Sequence, residues 1–339
     1  MRKSISGVLV MLSLSASAQQ KPHYTQYILN NYVLNPALSG IENYTDLKLS
    51  ARDQWVGLNG APKTMYLSVH TPLGKKDYKP TATSFSVPGQ NPRGSAYWEN
   101  YEASAPHHGV GFSILNYKTG LYNQTSLNVS YAYHLGLSPR TNLAGGFAAG
   151  INKLSYDRSK AAPTDPNDPA IGQIGGSSEM FRVKPDLAAG LWLYSADYFV
   201  GLSAQQIIPQ KYSLTGTTQG SAIVPHLFAT AGYRFLLSED VNAIPSVMFK
   251  YVPNTPTNPQ FDINLKLQYQ DLLWVGGSYR LDNGYAAMLG VNVAGKFTVG
   301  YAFDFTKTII NTASRGTHEV IIGFLLGNKY DDSCPRNIW

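Results

Sequence analysis

The sequence contains one cysteine, Cys334, and few charged residues for its length. A single cysteine excludes an internal disulfide framework and a cysteine-rich metal site. Charged residues make up 14% of the 339 residues, against about 25% in an average soluble chain. The lysines and arginines are scattered along the chain, so the formal charge of +6 does not indicate a nucleic-acid-binding surface. We therefore expect no nucleic-acid partner and no cofactor.

Long hydrophobic runs are also missing, because no stretch approaches the roughly 18 apolar residues of a transmembrane helix. The short apolar run at residues 8–14 follows Arg2 and Lys3 and precedes Ala16-Ser17-Ala18. A basic start, a short apolar core and a small-x-small site are the parts of a secretory signal peptide. The sequence thus predicts a signal peptide over residues 1–18 and an exported mature chain. A lipid-anchored protein is not indicated, since no cysteine follows the signal.

The abundant residue types are those expected in the wall of a membrane-embedded β-barrel. The chain has 23 tyrosines and 31 glycines, and a lipid-facing barrel needs apolar and aromatic residues outside and small polar residues inside. After residue 43 the dominant period is two, as in residues 126–135, where Leu, Val and Tyr alternate with Ser, Asn, Ala and His. Residues 262–269, 297–305 and 317–326 repeat this pattern. Strict alternation of this length indicates strands.

These patterns predict an all-β fold, a transmembrane antiparallel β-barrel of about 14 strands with an N-terminal arm and long loops. An even number of strands suits a single-chain bacterial barrel, and strands of about nine to eleven residues cross a bilayer at a tilt. The alternative is a soluble β-sandwich or propeller. The predicted strands are 44–52, 64–72, 109–118, 122–135, 142–156, 185–195, 198–206, 226–237, 241–251, 260–270, 272–281, 285–294, 297–305 and 317–326.

Loop lengths predict the orientation of this barrel, because short turns lie in the periplasm and longer loops lie outside the cell. With the N-terminus in the periplasm, the connections at 136–141, 195–198, 237–241, 270–271 and 294–296 lie inside and are short. The connections at 157–184, 207–225, 252–259 and 306–316 lie outside and are longer. The connection at 73–108 breaks this rule: either a strand is miscounted, or the barrel carries a long periplasmic excursion suited to partner contact.

The chain divides into a signal peptide (1–18), an N-terminal arm (19–43), the barrel (44–326) and a C-terminal tail (327–339). The arm carries Tyr24, Tyr27, Tyr32 and Leu34. These side chains either pack the arm into the barrel as a plug or cap the first strand, and both alternatives stay open.

Signatures of enzymes are missing from the sequence. It has no Gly-x-Ser-x-Gly, no phosphate-binding glycine-rich loop with lysine and no His-Glu-x-x-His. Ser130 and His134 share a strand face, but four residues span about 13 Å, too far for a hydrogen bond. The pair His107-His108 is weak support for a metal site without nearby cysteine or carboxylate ligands. We predict no enzyme activity, no catalytic residues and no metal.

The segment after the signal carries a resemblance to a known family. It reads Gln26-Tyr27-Ile28-Leu29-Asn30-Asn31-Tyr32-Val33-Leu34-Asn35-Pro36-Ala37-Leu38-Ser39-Gly40 and is followed by Arg52-Asp53-Gln54-Trp55-Val56-Gly57. Further matches are Gly109-Val110-Gly111-Phe112, Tyr301-Ala302-Phe303-Asp304 and Gly316-Thr317-His318-Glu319-Val320. Together they resemble the PorP/SprF family, membrane proteins of the Bacteroidota type IX secretion system. The chain departs from the family in Tyr117, where many members have Asp, and in the longer 73–108 connection.

The resemblance implies an integral outer-membrane component of protein export, in some members tied to gliding motility or adhesin secretion. It implies outer-membrane lipid, periplasmic secretion ring proteins and large secreted cargo as partners. The family-motif residues, which are candidates for interaction, are Gln26, Asn35, Pro36, Gly40, Arg52, Trp55, His318 and Glu319.

Several of these residues also have a physical interpretation. Asn35-Pro36 starts a turn, since proline biases the preceding residue away from helix. Trp55 is expected in an interfacial aromatic girdle. Arg52 is a candidate to pair with a lumen carboxylate such as Glu319. His318 and Glu319 must point to opposite faces of the last strand, which favours a structural role over an acid–base pair.

Two functions remain in competition. One is a type IX secretion component that docks periplasmic machinery or recognises secreted cargo, and the alternative is a general or substrate-selective porin. Barrel size alone motivates the porin, since fourteen strands can leave a lumen for a solute. A lipid-modifying barrel enzyme is a third and weaker hypothesis.

Overall fold

The computed structural model describes residues 25–75, 101–157, 179–212, 221–253, 258–270, 272–281, 283–293, 296–307 and 312–327. The predicted signal peptide, residues 19–24 of the arm with Tyr24, residues 76–100 of the long connection and residues 328–339 of the tail with Cys334 lie outside the described residues.

Seventeen β-strands make up most of the described chain, and three short 3-10 turns precede them. The strands are β1 (Thr45–Asp53), β2 (Lys63–Leu73), β3 (His107–Thr119), β4 (Tyr122–Ser138), β5 (Thr141–Asp157), β6 (Glu179–Tyr194), β7 (Tyr198–Gln205), β8 (Gln210–Tyr212), β9 (Ser221–Ile223), β10 (His226–Tyr233), β11 (Phe235–Ser238), β12 (Val241–Tyr251), β13 (Gln260–Tyr269), β14 (Leu273–Arg280), β15 (Gly284–Val293), β16 (Phe297–Thr306) and β17 (Thr317–Leu326). None of the described helices is long and apolar enough to cross a membrane.

Antiparallel pairing closes these strands into a barrel of fourteen wall strands. Consecutive strands pair along the chain, β1 pairs with β17, and β10 joins β7 to β12. Strands β10 and β11 are successive pieces of one wall strand, while β8 and β9 form a separate hairpin. The predicted fold class is confirmed. Closure explains the fold, because it leaves no wall strand with an unpaired edge in lipid.

The alternation read from the sequence becomes the two faces of the wall. In β13, Asp262, Asn264, Lys266 and Gln268 are buried in the lumen, whereas the residues between them are exposed on the outside. The exposed set is apolar and aromatic: Phe261, Ile263, Leu265, Leu267 and Tyr269. A band of this kind faces the acyl chains of a membrane.

Some predicted boundaries were wrong. The strand predicted over 226–237 is interrupted at Arg234, although the Arg234 backbone N–H still bonds to the Asp197 carbonyl at 2.7 Å, in register with the β10–β7 ladder. The connection predicted over 207–225 contains the β8–β9 hairpin. Strand β6 begins at Glu179, six residues before the predicted start, because it pairs with β5 up to Asp157. Direct pairing of β2 with β3 shows that no wall strand is missing between them.

Candidate functional site

The barrel lumen contains the start of the described chain. The described part of the N-terminal arm, residues 25–43, is buried from Thr25 to Glu42 with the single exception of the half-buried Val33. The arm forms three 3-10 turns, Gln26–Leu29, Asn31–Val33 and Pro36–Leu38. The arm is therefore a plug inside the barrel and not a cap on the first strand. The end of the barrel at which β1 begins is called the inner end, and the end at which β1 finishes is called the outer end.

Apolar side chains of the arm form the core of the molecule together with the wall. Tyr27, Ile28, Leu29 and Leu34 belong to one buried cluster, and Tyr32, Ala37, Leu38 and Ile41 belong to a second. The wall residues of these clusters are Tyr66, Leu115, Ala144, Trp192, Tyr194, Phe199, Phe228, Ile244, Met248, Trp274, Met288, Ala302 and Ile321. The arm and the wall therefore share two buried apolar clusters inside a lumen that also contains buried polar and charged side chains.

At the outer end, the arm is held by a buried cluster of charges. Arg52 of β1 places Nη2 2.6 Å from Asp304 Oδ2 and Nη1 2.7 Å from Glu319 Oε2. The exposed fractions of these side chains are 3%, 8% and 2%. The pair Arg52–Glu319 suggested by the sequence is present, and Asp304 on β16 completes it. A buried ion pair needs further hydrogen bonds to offset its desolvation.

The start of the arm supplies those hydrogen bonds. The Thr25 backbone N–H donates to Glu319 Oε2 at 2.9 Å, and the Thr25 hydroxyl donates to the Asp304 carboxylate at 2.7–2.8 Å. Gln26 donates from its backbone N–H to Glu319 Oε1 and from Nε2 to the Glu319 carbonyl. Arg52 Nη1 also donates to the Thr25 hydroxyl at 2.5 Å. The charged cluster therefore holds the start of the arm through the backbone N–H groups and the side chains of Thr25 and Gln26.

Polar side chains from several strands hold the middle of the arm. The Tyr32 hydroxyl lies 2.6 Å from Ser130 Oγ, and Asn264 Nδ2 donates to the Tyr27 hydroxyl at 2.6 Å. Asn35 Nδ2 donates to the carbonyls of Leu191 and Leu202. The side-chain oxygen of Asn35 accepts from Ala37 N and caps the turn that Pro36 begins. The Asn-Pro-Ala motif therefore builds a turn and also ties that turn to β6 and β7.

At the inner end, three histidines surround the backbone of Ser39 and Gly40. His134 Nε2 donates to the Ser39 carbonyl at 2.8 Å, and the two ring nitrogens of His107 lie 2.8 Å from the Ala105 carbonyl and 3.2 Å from the Gly40 carbonyl. His70 Nδ1 accepts from Gly40 N–H at 3.3 Å. The rings of His107 and His134 stack 4.4 Å apart at 3°. These contacts fix the arm where it turns into β1.

Inward-facing glycines let the arm approach the wall. A Cβ at Gly146 would lie 2.6 Å from the Ala37 Cα, and a Cβ at Gly109 would collide with the Ser39 carbonyl. Gly40, at φ +72°, would meet Gly109 in the same way. The wall glycines that a side chain would push against the arm are Gly109, Gly111, Gly146, Gly190 and Gly300. They mark a track along the lumen that the arm follows.

Substitution of this track should displace the arm. We expect Gly109→Ala to lower the free energy of unfolding by about 1–3 kcal/mol, the usual cost of overpacking a core. Thermal unfolding in detergent micelles measures this loss. The matched control is Gly277→Ala, an outward position where a Cβ would meet nothing closer than 3.9 Å. Equal stability of the two variants would contradict the close packing of the arm.

The predicted site residues lie at different points along the arm and the strands around it, and not in a single cluster. Gln26, Arg52 and Glu319 meet at the outer end, and Asn35-Pro36 and Gly40 lie further inward. Trp55 lies after β1 with φ +50° and lines a cavity at the outer end beside Arg52 and Thr317. Its place in an aromatic girdle stays a prediction.

The side chains within the His107-His108 and His318-Glu319 pairs point to opposite faces of the wall. His318 faces outward and contacts the Tyr301 hydroxyl at 2.7 Å, opposite to Glu319. His107 faces the lumen while His108 contacts the Tyr131 hydroxyl on the outside. Within the described ranges, no group of three or more His, Cys, Asp and Glu side chains could hold a metal ion. Ser130 and His134 both contact the arm, at Ser39 Oγ and at the Ser39 carbonyl.

Comparison with protein families decides the relationship suggested by the motifs. A family model described as "Type IX secretion system membrane protein PorP/SprF" matches residues 16–324. The chain belongs to the PorP/SprF family. The resemblance carried by the arm and the His-Glu strand is confirmed, and the protein is a membrane protein of the type IX secretion class. No curated protein matches the sequence significantly.

Solved structures similar to this PorP/SprF protein are bacterial barrels of low sequence identity. The outer membrane protein Omp33 of Acinetobacter baumannii is 10% identical, with 85% of this chain and 100% of that chain covered and a TM-score of 0.46. The toluene transporter TbuX of Ralstonia pickettii is 9% identical (88% and 92% covered, TM-score 0.47). The toluene transporter TodX of Pseudomonas putida is 8% identical (92% and 96% covered, TM-score 0.49). Likeness at this level says nothing about a substrate.

Proposed function

We propose that this protein is a non-conducting outer-membrane component of the type IX secretion system that docks periplasmic machinery or recognises secreted cargo. The observation that carries the proposal is the filled lumen of a PorP/SprF barrel. A porin needs a continuous aqueous path, whereas here the arm is buried against the wall from Thr25 to Glu42. A barrel whose lumen is occupied by its own chain acts through its rims and loops.

The long connection after β2 supports contact on the periplasmic side. Both of its described ends are fastened at the inner end of the barrel: Lys75 Nζ donates to the Ile41 carbonyl at 2.8 Å, and Ala103 N donates to the Pro139 carbonyl at 2.8 Å. Ser104 and Asn142 exchange two further hydrogen bonds. The connection therefore leaves and rejoins the same rim, which is the place for a docking segment.

The same proposal covers the parts of the chain that precede and follow the barrel. Residues 1–18 act as the signal peptide, residues 19–43 as the arm, residues 44–326 as the barrel and residues 327–339 as a tail. Export through the signal peptide brings the protein to the outer membrane. Its partners are periplasmic ring proteins and large secreted cargo, which in a gliding organism include adhesins. No catalytic step is part of this role.

Loss of the protein should block export of one or more cargo proteins. Mass spectrometry of culture supernatants from a deletion strain and its complemented strain measures the defect. Affinity purification of the tagged protein from outer membranes should recover periplasmic ring subunits or a large secreted protein. An unrelated tagged barrel is the control for capture.

A second variant tests whether the connection after β2 binds the partners or whether the barrel alone is sufficient. Residues 76–100 are replaced by a Gly-Ser linker of equal length, which preserves reach but removes side chains. We expect this variant to reach the outer membrane and to lose the ring proteins. Normal secretion in the deletion strain, or a purified protein without partners, would move the assignment to the porin alternative.

A further inference from the structure

The membrane-facing wall of β17, β1, β2 and β3 contains a recessed apolar groove. Its volume is about 290 Å³, near the lower end of the roughly 300–1,000 Å³ of small-molecule sites. Ala51 forms its floor, because its methyl group is smaller than the side chains of its ladder neighbours Val320 and Met65. The remaining apolar lining is Leu49, Met65, Leu67, Ile114, Val320 and Ile322.

A polar row crosses the wall directly above this groove. In ladder register, Asp53 lies beside Lys63, Lys63 beside Lys118, and Lys118 beside Asn123. All four project outward at the outer end, where the apolar band stops. Asp53 pairs with Lys63 at 3.0 Å, whereas Lys118 has no ion-pair partner among the described residues.

Two lysines directly opposite each other in a sheet are unfavourable, because like charges in cross-strand pairs repel. Asp53 offsets only one of them. An anion between Lys63 and Lys118 would remove the repulsion and would lie at the boundary between the apolar band and water. Lysine side chains at such a boundary extend toward phosphate groups while their methylenes stay on the apolar surface.

We propose that the groove binds an acyl chain of a phosphate-bearing lipid whose phosphate lies on Lys118 and Lys63. The groove opens into the membrane, so acyl chains are the molecules already in contact with it. This lipid site is independent of the proposed role in secretion.

Binding of defined lipids to the purified full-length protein tests the proposal. The probes are phosphatidylglycerol and diacylglycerol with the same acyl chains, added to detergent micelles and followed by native mass spectrometry. We expect one phosphatidylglycerol to be retained and diacylglycerol to be lost. Lys118→Gln should weaken retention about fivefold, as expected for one lysine near a lipid phosphate.

Two further variants locate the site on the wall. Ala51→Phe fills the groove and should abolish retention, whereas Ala287→Phe places the same ring on the outward face of β15 and should not. Lys307→Gln removes an outward lysine that lies near the rings of Tyr279 and Tyr285, and is the control for charge. Equal retention of diacylglycerol, or equal loss in Ala51→Phe and Ala287→Phe, would overturn the proposal. So would loss of a co-purifying protein, instead of a lipid, from Ala51→Phe.

Discussion

Replacing Arg52 with alanine should lower the free energy of unfolding by about 3–5 kcal/mol, the cost of leaving a buried charge without its partner. Glu319 would lose its ion pair at 2.7 Å and stay buried beside the arm. Asp304 would be affected less, because Arg280 Nη1 lies 3.7 Å from its carboxylate. Urea unfolding in detergent micelles, followed by tryptophan fluorescence, measures the loss.

The exposed pair Lys63–Asp53 on the neighbouring strands is the matched control. Its side chains are 64% and 43% exposed, so Lys63→Ala should cost less than about 1 kcal/mol. Adding Glu319→Gln to Arg52→Ala should recover part of the loss, because it removes the uncompensated charge. Similar destabilisation by Arg52→Ala and Lys63→Ala, or purely additive effects in the double variant, would show that the buried cluster does not anchor the fold.

The strands and the barrel could be predicted from the sequence because their signal is local. Each wall strand alternates lumen and lipid residues, and β13 shows this alternation without a break. The ion pair Arg52–Glu319 could also be predicted from the sequence, because closing a barrel makes the first and last strands neighbours.

The path of the arm could not be read from its own residues. Its apolar side chains follow neither a period of two nor a period of 3.6, because the 3-10 turns are short and each is shaped by a different part of the wall. Thr25 and Asp304 were missed, since their contact joins positions 279 residues apart. Gly109, Gly146 and Gly190 carried a usable signal, because each is a glycine at an inward position of its strand.

Deleting residues 19–43 should convert a silent barrel into a conducting one. Without the arm, the lumen loses Tyr27, Ile28, Leu29 and Leu34 from its centre, and each such side chain contributes about 1.5–3 kcal/mol when fully buried. The wall keeps its continuous ladder, so the variant should still form a closed but less stable barrel. Conductance in planar bilayers is the measurement, and the temperature at which the barrel unfolds on gels checks folding.

A disulfide between the arm and the wall keeps the arm inside the barrel and is therefore the control for the deletion experiment. Ser39 Oγ and Ser130 Oγ lie 2.8 Å apart, so Ser39→Cys with Ser130→Cys, in a Cys334→Ser background, places two thiols within reach of a bond. The oxidised protein should remain silent under every condition, and any rare openings of the native protein should vanish with it. If the deletion variant is folded and yet silent, the inward rings of Trp192, Phe199 and Trp274 close the lumen by themselves. In that case the arm would stabilise the barrel without being its plug, and the closed state would be a property of the wall.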